Sequence, residues 1–484
     1  MKKKIVIIGS GFSSLAAASY LAQLGHKVEV YEKNSTFGGR ARQLKKEGFT
    51  FDMGPSWYWM PDVFEKFFGD FGKRPSDYYA LLRLDPGYQV FFGKEDAVSI
   101  GADMDQIYQA FEAEEKGSAQ KLKAFIDKAQ EHYRIAMDKL VYHPGVSPLE
   151  LVTSETIKKL RYFFSNIKAL VHKDFKNPKL QQILQFPVLF LGAKPEKTPA
   201  FYNFMNYADF GLGTWHPDKG MYSIVEGMVA LAKELGVSFT ANAPVDKIEV
   251  ENGQAKGIWV NGKCIPADAV LSGADYHHSE TLLPKKYRMY SESYWAQKTF
   301  APSSLLFYIG LDTKIQKLSH HSLFFDVDFD AHAAAIYDTP HWPEKPLFYA
   351  NFPSVTDPSM APEGKEACFL LIPIAPGLED TPEWREKYYH IVLDRLEDIT
   401  GQKLKDKVLF KESFCVNEFV SEYNSYKGNA YGMANTLLQT AFLRPKLKSK
   451  KVENLYFTGQ LTVPGPGVPP ALISGKLVAG LIGS

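Results

Sequence analysis

Ile5-Val6-Ile7-Ile8-Gly9-Ser10-Gly11-Phe12-Ser13-Ser14 begins as an apolar run rich in β-branched residues and breaks into two glycines. Leu15-Ala16-Ala17-Ala18-Ser19-Tyr20-Leu21 then fits a small-residue helix, and Val28-Glu29-Val30-Tyr31 fits a second strand ending at Glu32. Strand, glycine turn, helix, strand and terminal carboxylate follow the order of a dinucleotide-binding βαβ unit. Gly9 permits the tight turn, Gly11 lets backbone approach a pyrophosphate, and the helix N-terminus offers N–H groups and positive dipole to that anion. Glu32, about 20 residues on, is placed to accept hydrogen bonds from a ribose. Ser14 stands where a third glycine is usual and is small enough to let helix pack on strand. A plain βα turn shares the glycine spacing but not the flanking elements and the carboxylate. Lys2-Lys3-Lys4, the apolar run and Ala16-Ala17-Ala18 also mimic a signal peptide. The polar Gly-Ser-Gly break and the matching second strand speak against it.

Further along stand Gly38-Gly39-Arg40-Ala41-Arg42 and Phe51-Asp52-Met53-Gly54-Pro55-Ser56. Taken alone Gly-Gly-Arg is a loop; after a βαβ start it brings amides and a guanidinium to the same phosphates. A second block has a helix over 223–235, with Ile224, Met228, Leu231 and Leu235 on one stripe, and a strand at 237–239. Asn252-Gly253 and Asn261-Gly262 punctuate the strands at 245–250, 255–260 and 263–265 as a small antiparallel meander. A further strand at 269–272 runs into Gly273-Ala274-Asp275. The last block is a strand at 454–458, Gly459-Gln460, the loop Pro464-Gly465-Pro466-Gly467-Val468-Pro469-Pro470, and a helix over 471–482.

With 484 residues the chain suits two intimately packed domains. Lys+Arg 56 against Asp+Glu 55 gives net charge +1, which favours no nucleic-acid partner. Cys264, Cys368 and Cys415 are too far apart for a disulfide framework or metal site, which suits a reducing cytoplasmic compartment. No run approaches the ~18 apolar residues of a spanning helix. Two insertions, 76–219 and 290–425, separate the blocks; the first reads as helical, the second as strands at 304–311 and 367–373. Ile157, Leu160, Phe164, Ile167 and Val171 share a helical face beside Lys158, Lys159, Arg161, Lys168 and Lys173. That pattern fits a helix lying on a membrane surface or a core-facing stripe with a basic back.

Together these motifs resemble the flavin-containing amine oxidase superfamily and, within it, the bacterial-type phytoene desaturases and related carotenoid desaturases. The Gly9–Glu32 start and the C-terminal Asn454–Gly459 and Pro464–Pro469 signatures carry the resemblance. It implies an α/β fold: a discontinuous Rossmann-like FAD-binding domain (1–75, 220–289 and 426–484), an inserted α+β substrate domain (76–219 and 290–425) and a helical membrane-associating subdomain. The FAD site it implies comprises Gly9, Ser10, Gly11, Phe12, Ser13, Ser14, Glu32, Lys33, Gly38, Gly39, Arg40, Gly54, Pro55, Ser56, Val245, Asp275, Gly459, Gln460, Gly467, Val468 and Pro469. Within it Gly9, Gly11 and Ser14 would face the pyrophosphate, Glu32 the ribose, Arg40 the diphosphate, Gly54-Pro55-Ser56 the isoalloxazine and Gly467-Val468-Pro469 its pyrimidine edge.

The implied reaction is desaturation of an acyclic carotenoid, by hydride transfer from an allylic carbon to the flavin and loss of a neighbouring proton. Phytoene-type desaturation and 3,4-desaturation of a γ-carotene or 1-hydroxycarotenoid end group are both compatible with it. A carotene cis–trans isomerase and an amine-type oxidase are the competing activities. Trp57, Tyr58 and Trp59 are the substrate-tunnel candidates. No catalytic acid or base stands out. His277-His278 and His320-His321 read as surface or structural, and no metal site is expected. Gly211-Leu212-Gly213 lacks the setting of an NAD(P) site, so electrons are expected to leave to a quinone or dioxygen. A lipid-dissolved substrate suits a cytoplasmic protein held peripherally on a membrane.

Overall fold

The computed structural model describes residues 1–483, and the side chains of all of these but 189–191. Ser484, which ends the expected 426–484 segment, lies outside the described residues. The first sheet is five-stranded and parallel, from β1 (Lys4–Ile8), β2 (Lys27–Tyr31), β3 (Ser238–Thr240), β4 (Ala269–Ser272) and β5 (Leu455–Phe457), in the order β5-β4-β1-β2-β3. Its five strands come from three separated stretches of chain. Ile7 stands beside both Val30 and Leu271 in the register. Ile5, Val6 and Ile7 are fully buried, as befits a parallel sheet covered on both faces. Helix α1 (Phe12–Gln23) and the C-terminal helix α3 (Val468–Gly483) pack on each other, and α2 (Tyr222–Glu234) buries Ile224, Met228 and Leu231 as its stripe requires. The meander forms as expected, with Asn252-Gly253 and Asn261-Gly262 at positive φ in its two hairpin turns.

A second, seven-stranded mixed sheet runs Val408–Phe414, Ser303–Leu311, Glu366–Ile374, Phe348–Asn351, His321–Phe324, Tyr88–Gly93, Asp96–Ile100. Its last two strands belong to the first insertion, so that stretch is not simply helical. Tyr88–Gly93 pairs in parallel with His321–Phe324 over more than two hundred residues of sequence, a pairing that local periodicity has no means of signalling.

The expected amphipathic helix does not exist as one element. It is broken into Ser154–Lys158, Leu160–Phe164 and Ile167–Asp174. Ser165 is extended, and the Asn166 side chain caps the third piece by accepting from Ala169 N–H. The break divides the stripe. Ile167 and Val171 are fully buried, whereas Ile157 (61%), Leu160 (53%) and Phe164 (75%) are exposed.

Candidate functional site

One cavity of about 640 Å³ runs from the carboxyl ends of the first sheet to the face of the second, the position at which open α/β sheets place their ligands. Of the sequence-predicted residues, Gly9, Ser10, Gly11, Phe12, Ser13, Glu32, Lys33, Gly38, Gly39, Arg40, Gly54, Pro55, Ser56, Val245, Asp275, Gly459, Gln460, Gly467, Val468 and Pro469 line it, with Trp57 and Trp59. Two do not. Ser14 is fully buried and turned to the sheet: a Cβ on Gly273 would stand 2.0 Å from its Oγ. Its smallness serves helix–strand packing rather than the anion. Tyr58 is fully buried too, stacked on Phe64 and hydrogen-bonded to the Tyr79 hydroxyl, because the chain's alternation at 57–59 turns it away from its two tryptophan neighbours.

The polar end is built from backbone. Gly9 adopts φ +83°, and its N–H donates to Tyr31 O (2.8 Å), folding the turn over the end of β2. Gly11 immediately precedes helix α1 as its N-cap and brings no side-chain cap to the first turn, leaving N–H groups for an anion. Glu32 is held by Ser10: its Oε2 accepts from Ser10 N–H (2.9 Å) and Oγ–H (2.7 Å), and its Oε1 accepts from Asn34 N–H (3.0 Å). Gly38 N–H donates to Ser10 O (3.1 Å), so the two glycine loops lie side by side. At Gly54 any side chain is excluded, since a Cβ there would stand 2.1 Å from Arg40 O.

Arg40 is half-buried over the Tyr423 ring (5.4 Å), with a terminal nitrogen on Ser425 Oγ and a buried Nε that has no hydrogen-bond partner. In its paired orientation the Gln460 amide oxygen accepts from Arg40 and from Gly432 N–H, each at 3.2 Å. Burial lowers the Arg40 pKa, and Asp275 opposes that shift. Burial raises Asp275, against the pull of Arg40, while its Oδ1 accepts from His277 and His278 N–H. A desolvated guanidinium short of acceptors, an uncapped helix end and a cradle that excludes Cβ atoms suit the diphosphate of FAD. Asp52 positions the same region from behind, accepting from Met221 and Tyr222 N–H (2.7 and 3.1 Å) at the start of α2; burial raises its pKa to about 6.

The other end is apolar, lined by Phe186, Leu306, Phe325, Phe329, Ile336 and Leu371 among others. Most of these come from the second sheet and its flanks, and none was singled out by motif. Their only sequence trace is the fully buried character of strands such as 303–311. Polar groups are sparse there. His332 is satisfied on both ring nitrogens, by Pro373 O (2.8 Å) and Leu347 N–H (2.8 Å). The Tyr337 hydroxyl is buried without a hydrogen-bond partner. His320 and His321 are buried rather than at the surface. Among the described residues no three His, Cys, Asp or Glu side chains gather as a metal site.

Comparison with known proteins agrees with this geometry. Residues 12–483 match the model of the flavin containing amine oxidoreductase family. The chain is 43% identical over 481 residues to a carotenoid 3,4-desaturase of Haloarcula japonica, covering 98% of this chain and 97% of that one. It is 32% identical to a zeta-carotene-forming phytoene desaturase of Myxococcus xanthus (98% and 93% covered) and 32% identical to a 4,4'-diapophytoene desaturase of Staphylococcus haemolyticus (98% and 97%). Among solved structures, an oxidoreductase from Methanosarcina mazei superposes with a TM-score of 0.64 at 18% identity (98% and 99% covered), and wild-type putrescine oxidase bound to putrescine with 0.62 at 15% (100% and 99%). These two share the fold. The chain therefore belongs to the flavin-containing amine oxidoreductase family, in its carotenoid desaturase branch, and is an FAD-dependent oxidoreductase.

Proposed function

We propose that the protein desaturates an acyclic carotenoid, with 3,4-desaturation at an end group ahead of phytoene-type desaturation. The observation that carries this reading is the continuity of the cavity: a backbone-built anion cradle opens directly into an apolar chamber. The 43% relative's named activity favours the 3,4-position. The unpartnered Tyr337 hydroxyl favours a 1-hydroxylated end group, which offers it a polar partner, over a plain hydrocarbon end, because a buried hydroxyl without a hydrogen bond costs about 1–3 kcal/mol. An amine substrate finds little support in a chamber with so few polar groups.

FAD held by the cradle would supply hydride acceptance from an allylic carbon. The chain's own residues do the rest. Arg40 and the α1 N-terminus take the diphosphate, Glu32 the ribose, Val245 the adenine side, and Gly467-Val468-Pro469 with the N-terminus of α3 the ring's pyrimidine edge. Trp57, Trp59, Phe186 and Phe325 hold the polyene and exclude water. In this assignment 1–75, 220–289 and 426–484 form the flavin unit, and 76–219 with 290–425 the substrate unit. A quinone or dioxygen takes the electrons.

The substrate's insolubility and one surface feature support a cytoplasmic protein lying peripherally on a membrane. Val146, Leu149, Val152, Ile157, Leu160 and Phe164 are exposed, as are Leu437, Leu438 and Leu443. Lys446 Nζ donates to Gly145 O (2.8 Å), tying the two segments into one neighbourhood. Lys158 and Arg161 lie beside this patch in sequence, suited to anionic headgroups. Among the described residues no helix is long and apolar enough to cross a membrane.

The deciding experiment incubates FAD-loaded protein with polyene-bearing vesicles and reads product mass. A product two hydrogens lighter than its substrate is expected. An unchanged mass with altered geometry would replace desaturation by isomerisation, and turnover of amines alone would restore the amine oxidase. Phe164→Ser with Leu438→Ser is expected to reduce sedimentation with vesicles while leaving stability within about 0.5 kcal/mol.

A further inference from the structure

We propose that Tyr349, backed by His321, accepts the proton that the substrate loses, an assignment that rests on the desaturase reading. Tyr349 and Ser56 both line the cavity, and Ser56 adjoins the Gly54-Pro55 stretch assigned to the flavin ring. Tyr349 Oη lies 2.6 Å from His321 Nδ1 and 3.0 Å from Ser56 Oγ. One phenolic proton serves one of these contacts at a time, so the phenol is able to hand its proton to the imidazole while its oxygen receives another.

His321 is fixed for this role. Its ring lies flat on Trp57, with centroids 4.0 Å apart and planes at 9°, and Asn351 Nδ2 sits 3.3 Å from its Nδ1. Its Nε2 is buried with no hydrogen-bond partner. His332, by contrast, uses both of its ring nitrogens. Behind it the His320 ring centre is 4.5 Å away, and His320 Nδ1 lies 3.1 Å from the half-exposed Thr356 hydroxyl. His216 stands 4.6 Å from His320, and its Nε2 is 3.4 Å from Asp357 Oδ2. The groups facing His321 are Tyr349 and Asn351 from the adjacent strand, Trp57, His320 and His216, with Asp357 behind His216. Burial holds His320 and His321 well below the ordinary histidine range, so both rest neutral, and a proton taken up by His321 is held only weakly and readily given back.

Bound FAD would supply the hydride acceptor for the allylic C–H bond, and the proton step belongs to the chain's own residues. The neighbouring C–H bond then breaks, its electron pair becoming the new π bond. Its proton goes to Tyr349 Oη as the phenolic proton passes to His321 Nδ1. The resulting imidazolium gives its proton back through Tyr349 Oη to solvent that enters the cavity once the product has left. A C–H bond beside an electron-deficient carbon is acidic enough for so weak a base.

The test compares wild type, Tyr349→Phe and His321→Gln as FAD-loaded full chains, with phytoene or a hydroxylated γ-carotene-type polyene in phosphatidylcholine vesicles. A wild type that forms no product two hydrogens lighter overturns the desaturase reading and this assignment with it. Given that product, both variants are expected to keep the bound-flavin spectrum and KM. They lose about a hundredfold in kcat, the scale of general-base catalysis, together with the wild type's slowing in D2O. A Tyr349→Phe enzyme with full kcat and an unchanged D2O response overturns the assignment and leaves the desaturase reading intact. An effect confined to KM or flavin content would also overturn it, by marking the pair as packing. Should Tyr349→Phe fail to fold, His321→Gln carries the same outcomes.

Discussion

The two ends of the cavity are made of different material. At the cradle end, glycines, uncapped N–H groups and one half-buried guanidinium form the wall. At the other, side chains from strands far apart in sequence form it. The first kind of wall has no room for a Cβ at Gly54 or Gly38 and owes its specificity to backbone position. The second tolerates shape change and owes its specificity to a few polar groups among many apolar ones. Substitutions at the cradle should therefore abolish cofactor retention, whereas those in the chamber should retune substrate choice.

The harshest break in that contrast is Gly54→Ala. A Cβ there collides with the Arg40 backbone, which cannot yield like a side-chain tip. Loss of about 3 kcal/mol or more and recovery of colourless protein are expected, measured by thermal unfolding and the flavin absorbance. At the chamber end, acid should do comparable damage through His332, whose pKa is lowered to about 4 by burial, with its hydrogen bond to Pro373 O pulling the other way. Between pH 6.5 and 4 the unfolded chain binds the proton that the folded chain refuses, so stability falls as pH drops through that window. This single group contributes about 3 kcal/mol over the interval, and denaturant midpoints for wild type and His332→Gln across it measure the difference. The variant should flatten the decline.

Arg40→Met comes next. Removing a charge-assisted partner worth about 1.5–3 kcal/mol should weaken FAD binding roughly ten- to a hundredfold, read by fluorescence titration of apoprotein. Tyr337→Phe should leave FAD binding unchanged and cost at most about tenfold in kcat/KM on a hydroxylated polyene, with no loss on a plain hydrocarbon. Equal losses on both substrates would remove Tyr337 from end-group recognition and make the two ends of the cavity less distinct than their walls suggest.

The cradle was legible because a dinucleotide site is a local device. Gly9, Gly11 and Glu32 act within one βαβ unit, and spacing alone places them together. Even there the sequence could not say which way a side chain turns. Ser14 sits in the motif yet serves packing, and Tyr58 sits between two lining tryptophans yet faces the core. The 157–171 stripe shows the reverse failure. Its periodicity is real, but Asn166 as a helix cap breaks it, and the two halves go to opposite environments.

The sequence by itself determined the first strand–turn–helix–strand unit and the meander, since these depend on backbone conformation and short-range hydrogen bonding. Only the tertiary structure decided the chamber, the pairing of Tyr88–Gly93 with His321–Phe324, and the meeting of Ser56, Tyr349 and His321. The strand pairing and the Ser56–Tyr349 contact join residues more than two hundred positions apart, and burial of apolar surface, which drives such contacts, is non-directional. It dictates that such strands be covered but leaves the partner to the fold.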